Sequence, residues 1–396
     1  MDLLKSLICL FNLKEYRKKV ALRSHEDYSV FNYVFDPREI TDATTARREL
    51  DIRTRDCFSM DLSECLPELI TYDSETVFPK NPQKMIKDFN PKEIMERHKN
   101  PGLGVRQLHK EGFTGKGVSV AIIDQTLSPH QEYMKNLVSY KEFGYEGLDF
   151  LKGSMHGSAV SSILVGRTCG VAPDAKLYYY AANNKKPNGE LTSKNHAKAL
   201  NDILDLNETL PDGEKIQAVS VSWGRMDECD GAEEWNNTLE RAKKAGVCVI
   251  SSNLRQDYGL HFIGLGRKNN ADPDDVNSYG HGYFIQMVYP NSLAVPMDNR
   301  TLASPQSKNG YVHYANGGWS WAIPFYTGLF LLARQADKNI TLEDFHRKAL
   351  DTGFKRADVP ALIAQPERLI EAIQNERLLK SELTINQAKN IKNPGR

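Results

Sequence analysis

From Gly117 onward, short apolar, β-branched runs alternate with stretches of helical period. Val118–Ile123, Ala175–Tyr180, Ala218–Ser222 and Val247–Ser251 read as strands, apolar enough along their length to be buried on both faces. Gly157–Val165, His196–Leu206 and Ala232–Ala245 fall between them and read as helices; Ala322–Arg334 reads as a later, apolar one. This alternation predicts an α/β fold, a parallel sheet with helices on both faces in three layers. Ligands and catalytic groups of such sheets collect beyond the carboxyl ends of the strands. Asp124 stands at the end of the first one.

Residues 1–101 lack that alternation and carry charge runs such as Tyr16–Lys19 and Asp36–Glu39, so they read as a separate N-terminal region of uncertain fold. Leu3–Leu13 is apolar, but Lys5 interrupts it, Lys14–Lys19 follows at once and no A-x-A cleavage site appears; an amphipathic helix is expected there rather than a signal peptide. Proline and glycine at Phe78–Pro82, Asn90–Pro91 and Asn100–Gly102 mark a loop-rich connection into the main domain, taken as residues 102–378. Residues 379–396 are expected to form a polar tail. No stretch reaches the roughly 18 uninterrupted apolar residues of a membrane span, and a soluble, cytoplasmic protein is expected.

Composition narrows the function classes. The 396 residues include 51 basic and 51 acidic side chains, which leaves no net field to attract nucleic acid. The six cysteines form no C-x-x-C pair and no regular spacing, so they read as free thiols rather than zinc ligands or a disulfide framework. Gly112-Phe-Thr-Gly-Lys-Gly117 precedes a strand instead of following one, and Gly264-Leu-Gly266 lacks a third glycine, so both read as turns. The acidic run Asp272-Pro-Asp-Asp275 reads as a solvated loop in preference to a calcium site, and no metal ligands are assigned. Tyr178–Tyr180 reads as strand, and His196, His261, His281 and His313 follow no pattern.

Peptide hydrolysis near neutral pH needs a nucleophile, a base to take its proton, an acid to hold that base and donors for the oxyanion. Each has a candidate. A buried strand delivers Asp124 at its end; His156 opens a helix whose first turn, Gly157-Ser-Ala159, is small; Ser320 follows the pair Gly317–Gly318 and precedes an apolar helix. A helix start offers unpaired N–H groups and a positive dipole end to negative charge developing at Ser320. Pro324, read as lying in the first turn, would remove only an N–H that is unpaired there anyway. The run Val247-Cys-Val-Ile-Ser-Ser-Asn253 reads as a strand ending in an amide donor. Singly, each residue type is more often structural, since serine and aspartate cap helices routinely; their joint order and spacing carry the inference.

These blocks resemble the subtilisin-like (subtilase) serine proteases. Gly115-Lys-Gly-Val-Ser-Val-Ala-Ile-Ile-Asp124 is similar to the family's first block, and His156-Gly-Ser with Gly170-Val-Ala-Pro-Asp-Ala-Lys-Leu177 to the histidine block and following strand. Ser222-Trp-Gly224 is similar to the segment that pairs with substrate, Asn253 to the oxyanion residue, and Gly318-x-Ser320-x-Ala322-x-Pro324 to the nucleophile block. Asp124 precedes His156 by 32 positions and His156 precedes Ser320 by 164, close to the roughly 32 and 157 of the subtilisin order. The resemblance covers Gly102 to Ala336.

It implies a serine endopeptidase with restricted peptide or protein substrates, no cofactor needed for the chemistry, and a catalytic triad of Asp124, His156 and Ser320. Substrate would lie along Ser222, Trp223 and Gly224, with Ile250, Ser251 and Ser252 lining a side-chain pocket. Residues 1–101 would be a removable pro-region or a permanent docking module. The sequence departs from the family pattern at Gln125–Thr126, Ala159, Ser252, Trp319 and Trp321, and the two indoles are expected to narrow the leaving-group side of the cleft. A catalytically inactive binding or scaffold protein on the same fold is the alternative.

Overall fold

Among the described residues the first elements are two short strands, β1 (Leu50–Asp51) and β2 (Ile70–Asp73), then helices α1 (Pro91–Arg97) and α2 (Val105–Lys110). The alternation follows: β3 (Ser119–Asp124), β4 (Leu137–Phe143), α3 (Met155–Val165), β5 (Lys176–Ala182), α4 (Lys194–Thr209), β6 (Ile216–Val221), α5 (Ala232–Lys244), β7 (Cys248–Ser251) and α6 (Leu254–Tyr258). Strands β8 (Phe262–Arg267), β9 (Tyr279–Gly280), β10 (Leu293–Pro296), β11 (Arg300–Ala303) and β12 (Tyr311–Tyr314) lead to α7 (Trp319–Ala336). Helix α8 (Leu342–Asp351), β13 (Phe354–Lys355), β14 (Leu362–Ile363) and α9 (Pro366–Lys392) follow. This computed structural model describes residues 22–25 and 50–392 except 225, 227, 269, 270 and 281–287, with backbone alone from 381. The helix expected over Leu3–Leu13 lies outside the described residues.

The central sheet is parallel, in the order β4-β5-β3-β6-β7. Along β3 the side chains alternate between two cores, as the period of a strand requires. Val120 and Ile122 pack with Ile163 of α3 and Leu329 of α7, whereas Ala121 and Ile123 pack with Leu200 of α4 and Leu239 of α5. Helices therefore cover both faces, and the fold is the expected three-layer α/β arrangement. Edge strand β4 carries Lys141 and Glu142, which hid it from a search for apolar runs.

Two further sheets flank this core, β13-β14-β10-β8-β9 and β1-β2-β12-β11. The second joins the N-terminal region to the segment just before Ser320, with His313 of β12 opposite Tyr72 of β2 and Val312 opposite Asp73. Residues 50–94 also own a small core, in which Leu50, Ile52, Leu62, Ile70, Tyr72, Ile86, Phe89 and Ile94 are buried together. Upstream, residues 22–25 bridge the loops on either side of the site: Arg23 N–H donates to Leu127 O at 3.0 Å and Gly153 N–H to Ser24 O at 2.9 Å. The buried Arg23 guanidinium donates through Nε to Glu142 Oε1 at 2.7 Å.

Helix α9 runs unbroken across the boundary drawn at residue 378, so residues 379–392 continue a helix. Cys57, Cys65, Cys169, Cys229 and Cys248 are free thiols. Among the described residues no helix is long and apolar enough to cross a membrane.

Candidate active site

The Asp124 carboxylate leaves the C-terminal end of β3, where Oδ1 accepts from the N–H of Gln125 at 2.8 Å and pairs with Nδ1 of His156 at 2.7 Å. Ser154 caps α3 by accepting from the N–H of His156 at 3.0 Å, which fixes the histidine at the helix start. Helix and loop meet so closely that a Cβ on Gly157 would lie 2.6 Å from Thr126 O and 2.5 Å from the Tyr179 hydroxyl. Burial pulls the His156 imidazole down, but the charge of Asp124 and the hydrogen bond to it prevail, leaving its pKa above the ordinary histidine value. One ring nitrogen is thus held by the acid and the other is left to act as a base.

Ser320 sits in the first turn of α7, which begins at Trp319, three residues before the expected start at Ala322. The turn into it needs both glycines: Gly318 has φ +137°, and a Cβ on Gly317 would lie 1.8 Å from Met297 O. The earlier start corrects the reading of Pro324, which lies inside the helix. Its missing N–H would have bonded the carbonyl of Ser320, four residues back. That carbonyl instead accepts from Ser222 Oγ at 2.7 Å, while Ser320 Oγ donates to the Ser222 carbonyl at 3.3 Å. Among the described residues Ser320 Oγ makes no bond to His156, though the two line one cavity of about 200 Å³ with Asp124, Ser222 and Trp223. The Ser320 N–H donates to no described group.

A second cavity of about 540 Å³ adjoins Ser320 and is lined by Ser222, Trp223, Gly224, Ser252, Asn253, Arg255, Gln256, His261, Tyr289 and Trp319. Asn253 follows β7 as expected and borders this space. Gly224 faces it closely, since a Cβ there would meet Ser252 Oγ at 2.6 Å and Asn253 Oδ1 at 3.1 Å. Ile250 and Ser251 do not line the pocket they were assigned to. Both are strand residues 0% exposed, because a central parallel sheet buries both faces of its strands; only Ser252, past the strand end, reaches the cavity.

The two indoles part company. Trp321 is buried, with its ring 5.1 Å from that of Tyr314, so it belongs to the core and narrows no cleft. Trp319 lines the larger cavity, 6.0 Å from the His261 ring, on the side of Asn253.

His196, Arg255, His261 and Tyr289 were not picked out as site residues, because no local pattern marks them. His196 comes from α4, packs its ring at a tilt against Trp223 with centroids 4.5 Å apart, and lines the cavity of Asp124 and His156. Burial pushes its pKa down to about 4, so the ring is neutral at pH 7. His261, lowered to about 4 by burial and by the charge of Arg255, is neutral as well. Among the described residues no group of three His, Cys, Asp or Glu side chains could hold a metal. Asp274 of the acidic run accepts from Gly104 N–H at 2.9 Å and Asn100 Nδ2 at 2.8 Å.

The model of the subtilase family matches residues 115–322. The serine protease AprX of Bacillus subtilis is 25% identical over 269 residues, covering 59% of this chain and 60% of AprX. The minor extracellular protease Epr of Bacillus subtilis is 30% identical over 321 residues, covering 72% of this chain and 45% of Epr. The chain thus spans less than two thirds of the length of either relative. In fold, it is similar to a chain of the subtilase cytotoxin SubAB, with a TM-score of 0.51 and 16% identity over 70% of this chain and 96% of that one. A protease of Pseudoalteromonas arctica gives a TM-score of 0.51 at 17% identity, over 72% of this chain and 98% of the other.

Proposed function

Because the chain belongs to the subtilase family, we propose that it is a serine endopeptidase working through Asp124, His156 and Ser320. The observation that carries this reading is the carboxylate–imidazole pair at 2.7 Å sharing one cavity with the Ser320 hydroxyl. His156 takes the proton of Ser320 as its Oγ attacks the scissile carbonyl, then returns it to the leaving amine; Asp124 orients the ring and stabilises its cation. Water repeats the sequence to release the acyl group. The oxyanion takes its hydrogen bonds from the free N–H of Ser320 and the side-chain amide of Asn253.

Trp223 and Gly224 make no backbone hydrogen bond among the described residues, which suits the addition of an extended peptide beside them. Its side chain on the acyl side of the scissile bond then enters the 540 Å³ cavity. No metal or cofactor is needed for these steps.

The competing reading, a non-catalytic binding protein, has one observation on its side: the bond from Ser320 Oγ to the Ser222 carbonyl. Rotation about one side-chain torsion frees that hydroxyl, and catalytic hydrogen bonds often tighten only once substrate is bound. Incubation of the protein with unstructured polypeptides, followed by mass spectrometry of the fragments, separates the two. Internal cleavage that disappears in Ser320→Ala supports the peptidase; no cleavage by the wild type supports the binding protein.

A further inference from the structure

We propose that the cavity beside Ser320 recognises an acidic side chain, so that the protein selects peptides with Glu or Asp on the acyl side of the scissile bond. This rests on the peptidase reading for its geometry, but the selectivity comes from this chain's own residues.

The sole permanent charge among the described lining residues is the guanidinium of Arg255, and none of them is Asp, Glu or Lys. Among the described residues the Arg255 guanidinium has no carboxylate partner and donates no hydrogen bond. An arginine left unpaired beside a partly enclosed cavity is a ready counter-ion, because its planar fork matches a carboxylate with two parallel bonds.

It is also held in place. The Arg255 guanidinium lies 3.7 Å from the centroid of the Tyr289 ring, a cation–π contact that restrains the side chain while leaving the rim of the fork open. Behind it, the His261 ring stands edge-on to Tyr289 at 4.7 Å, and Ser292 Oγ lies 2.7 Å from His261 Nδ1. The aromatic wall is therefore braced, and less entropy is lost when a ligand binds.

The remaining lining fits the same guest. Trp319 offers an apolar face for the methylene stem of Glu, and Gln256 adds a neutral amide. A basic side chain entering this space would bring a second cation against Arg255 with no anion among the described lining residues to offset it, a repulsion that disfavours Lys and Arg.

The test uses binding, so that it does not depend on turnover. Ser320→Ala protein is titrated with fluorescent peptides identical except for Glu, Gln or Lys at the acyl-side position, and affinity is read by polarisation. Glu is expected to bind about tenfold more tightly than its isostere Gln, with Lys weaker than both. Arg255→Gln should erase the difference between Glu and Gln, and Arg255→Glu should reverse the order to favour Lys, a gain that misfolding cannot produce. Equal affinity for Glu and Gln, no binding of any peptide, or a Glu preference that survives Arg255→Gln overturns the proposal. Reaction of Ser320 with a fluorophosphonate reports separately on catalysis, so labelled protein lacking the Glu preference sinks only this inference, and unlabelled protein showing it sinks only the catalytic reading.

Discussion

Ser222 and Ser320 hold each other by two reciprocal bonds, Ser222 Oγ to the Ser320 carbonyl at 2.7 Å and Ser320 Oγ to the Ser222 carbonyl at 3.3 Å. The first exists because Pro324 cannot donate to that carbonyl. The segment after β6 is thereby tied to the first turn of α7. Ser222→Ala is expected to cost about 1 kcal/mol of stability and to slow reaction at Ser320. Adding Pro324→Ala restores the helical donor, so the double variant should recover most of the lost stability. Urea unfolding of the two single variants and the double one measures the coupling; purely additive losses would contradict the account.

The pH dependence follows from the Asp124–His156 pair. The imidazole must be unprotonated to act as a base, and Asp124 raises its pKa above 6.5. Activity is therefore expected to fall as pH drops through a value above 6.5. In Asp124→Asn burial acts alone, so the acid limb should move below that point while turnover drops by about 10⁴. For stability the sign is opposite. The folded state binds the His156 proton more tightly than the unfolded chain, so the contribution is fully present below pH 6.5 and is lost as pH rises through the raised value. A profile of kcat/KM against pH for both proteins checks the limb, and no displacement in Asp124→Asn would count against the pairing.

Asn253 borders the cavity beside Ser320 and is assigned to the oxyanion. Asn253→Leu is expected to lower kcat by roughly 10²–10³ with little change in KM, because the bond strengthens only in the transition state. Steady-state kinetics on one peptide decides; a rise in KM with kcat unchanged would move Asn253 to ground-state binding.

The N-terminal region is expected to share the stability of the whole. Tyr72 is 1% exposed, donates to Pro91 O at 2.7 Å and lies 5.2 Å from the His313 ring. Tyr72→Ala is expected to cost about 3–5 kcal/mol and to lower the single unfolding transition of the protein. Two separate transitions, with only the weaker one affected, would mean that residues 50–101 are an appendage.

How far the sequence reaches depends on the range of the interaction. Strands β3, β5, β6 and β7, each an apolar run, and helices α3, α4 and α5 were legible because their patterns are local, and Asp124, His156, Ser320 and Asn253 because motifs carry them. The pairing of Tyr72 with His313 was not, since two- to four-residue strands have no period to detect and their partners lie far away in the chain. The start of α7 was misjudged because Pro324 looks like a first-turn proline. Arg255, Tyr289 and His261 meet only through tertiary packing. Ile250 and Ser251 were given to the pocket on the strength of the resemblance, and their burial within β7 keeps them from it.

The claim on which the rest depends is that Ser320 is an activated nucleophile. Treatment of the folded protein with a fluorophosphonate, followed by mass mapping of the adduct, tests it most directly. The account expects a stoichiometric adduct on Ser320, absent in Ser320→Ala and formed at least about 10³-fold more slowly in His156→Ala. Wild-type protein that takes up no label, or labels elsewhere, contradicts it.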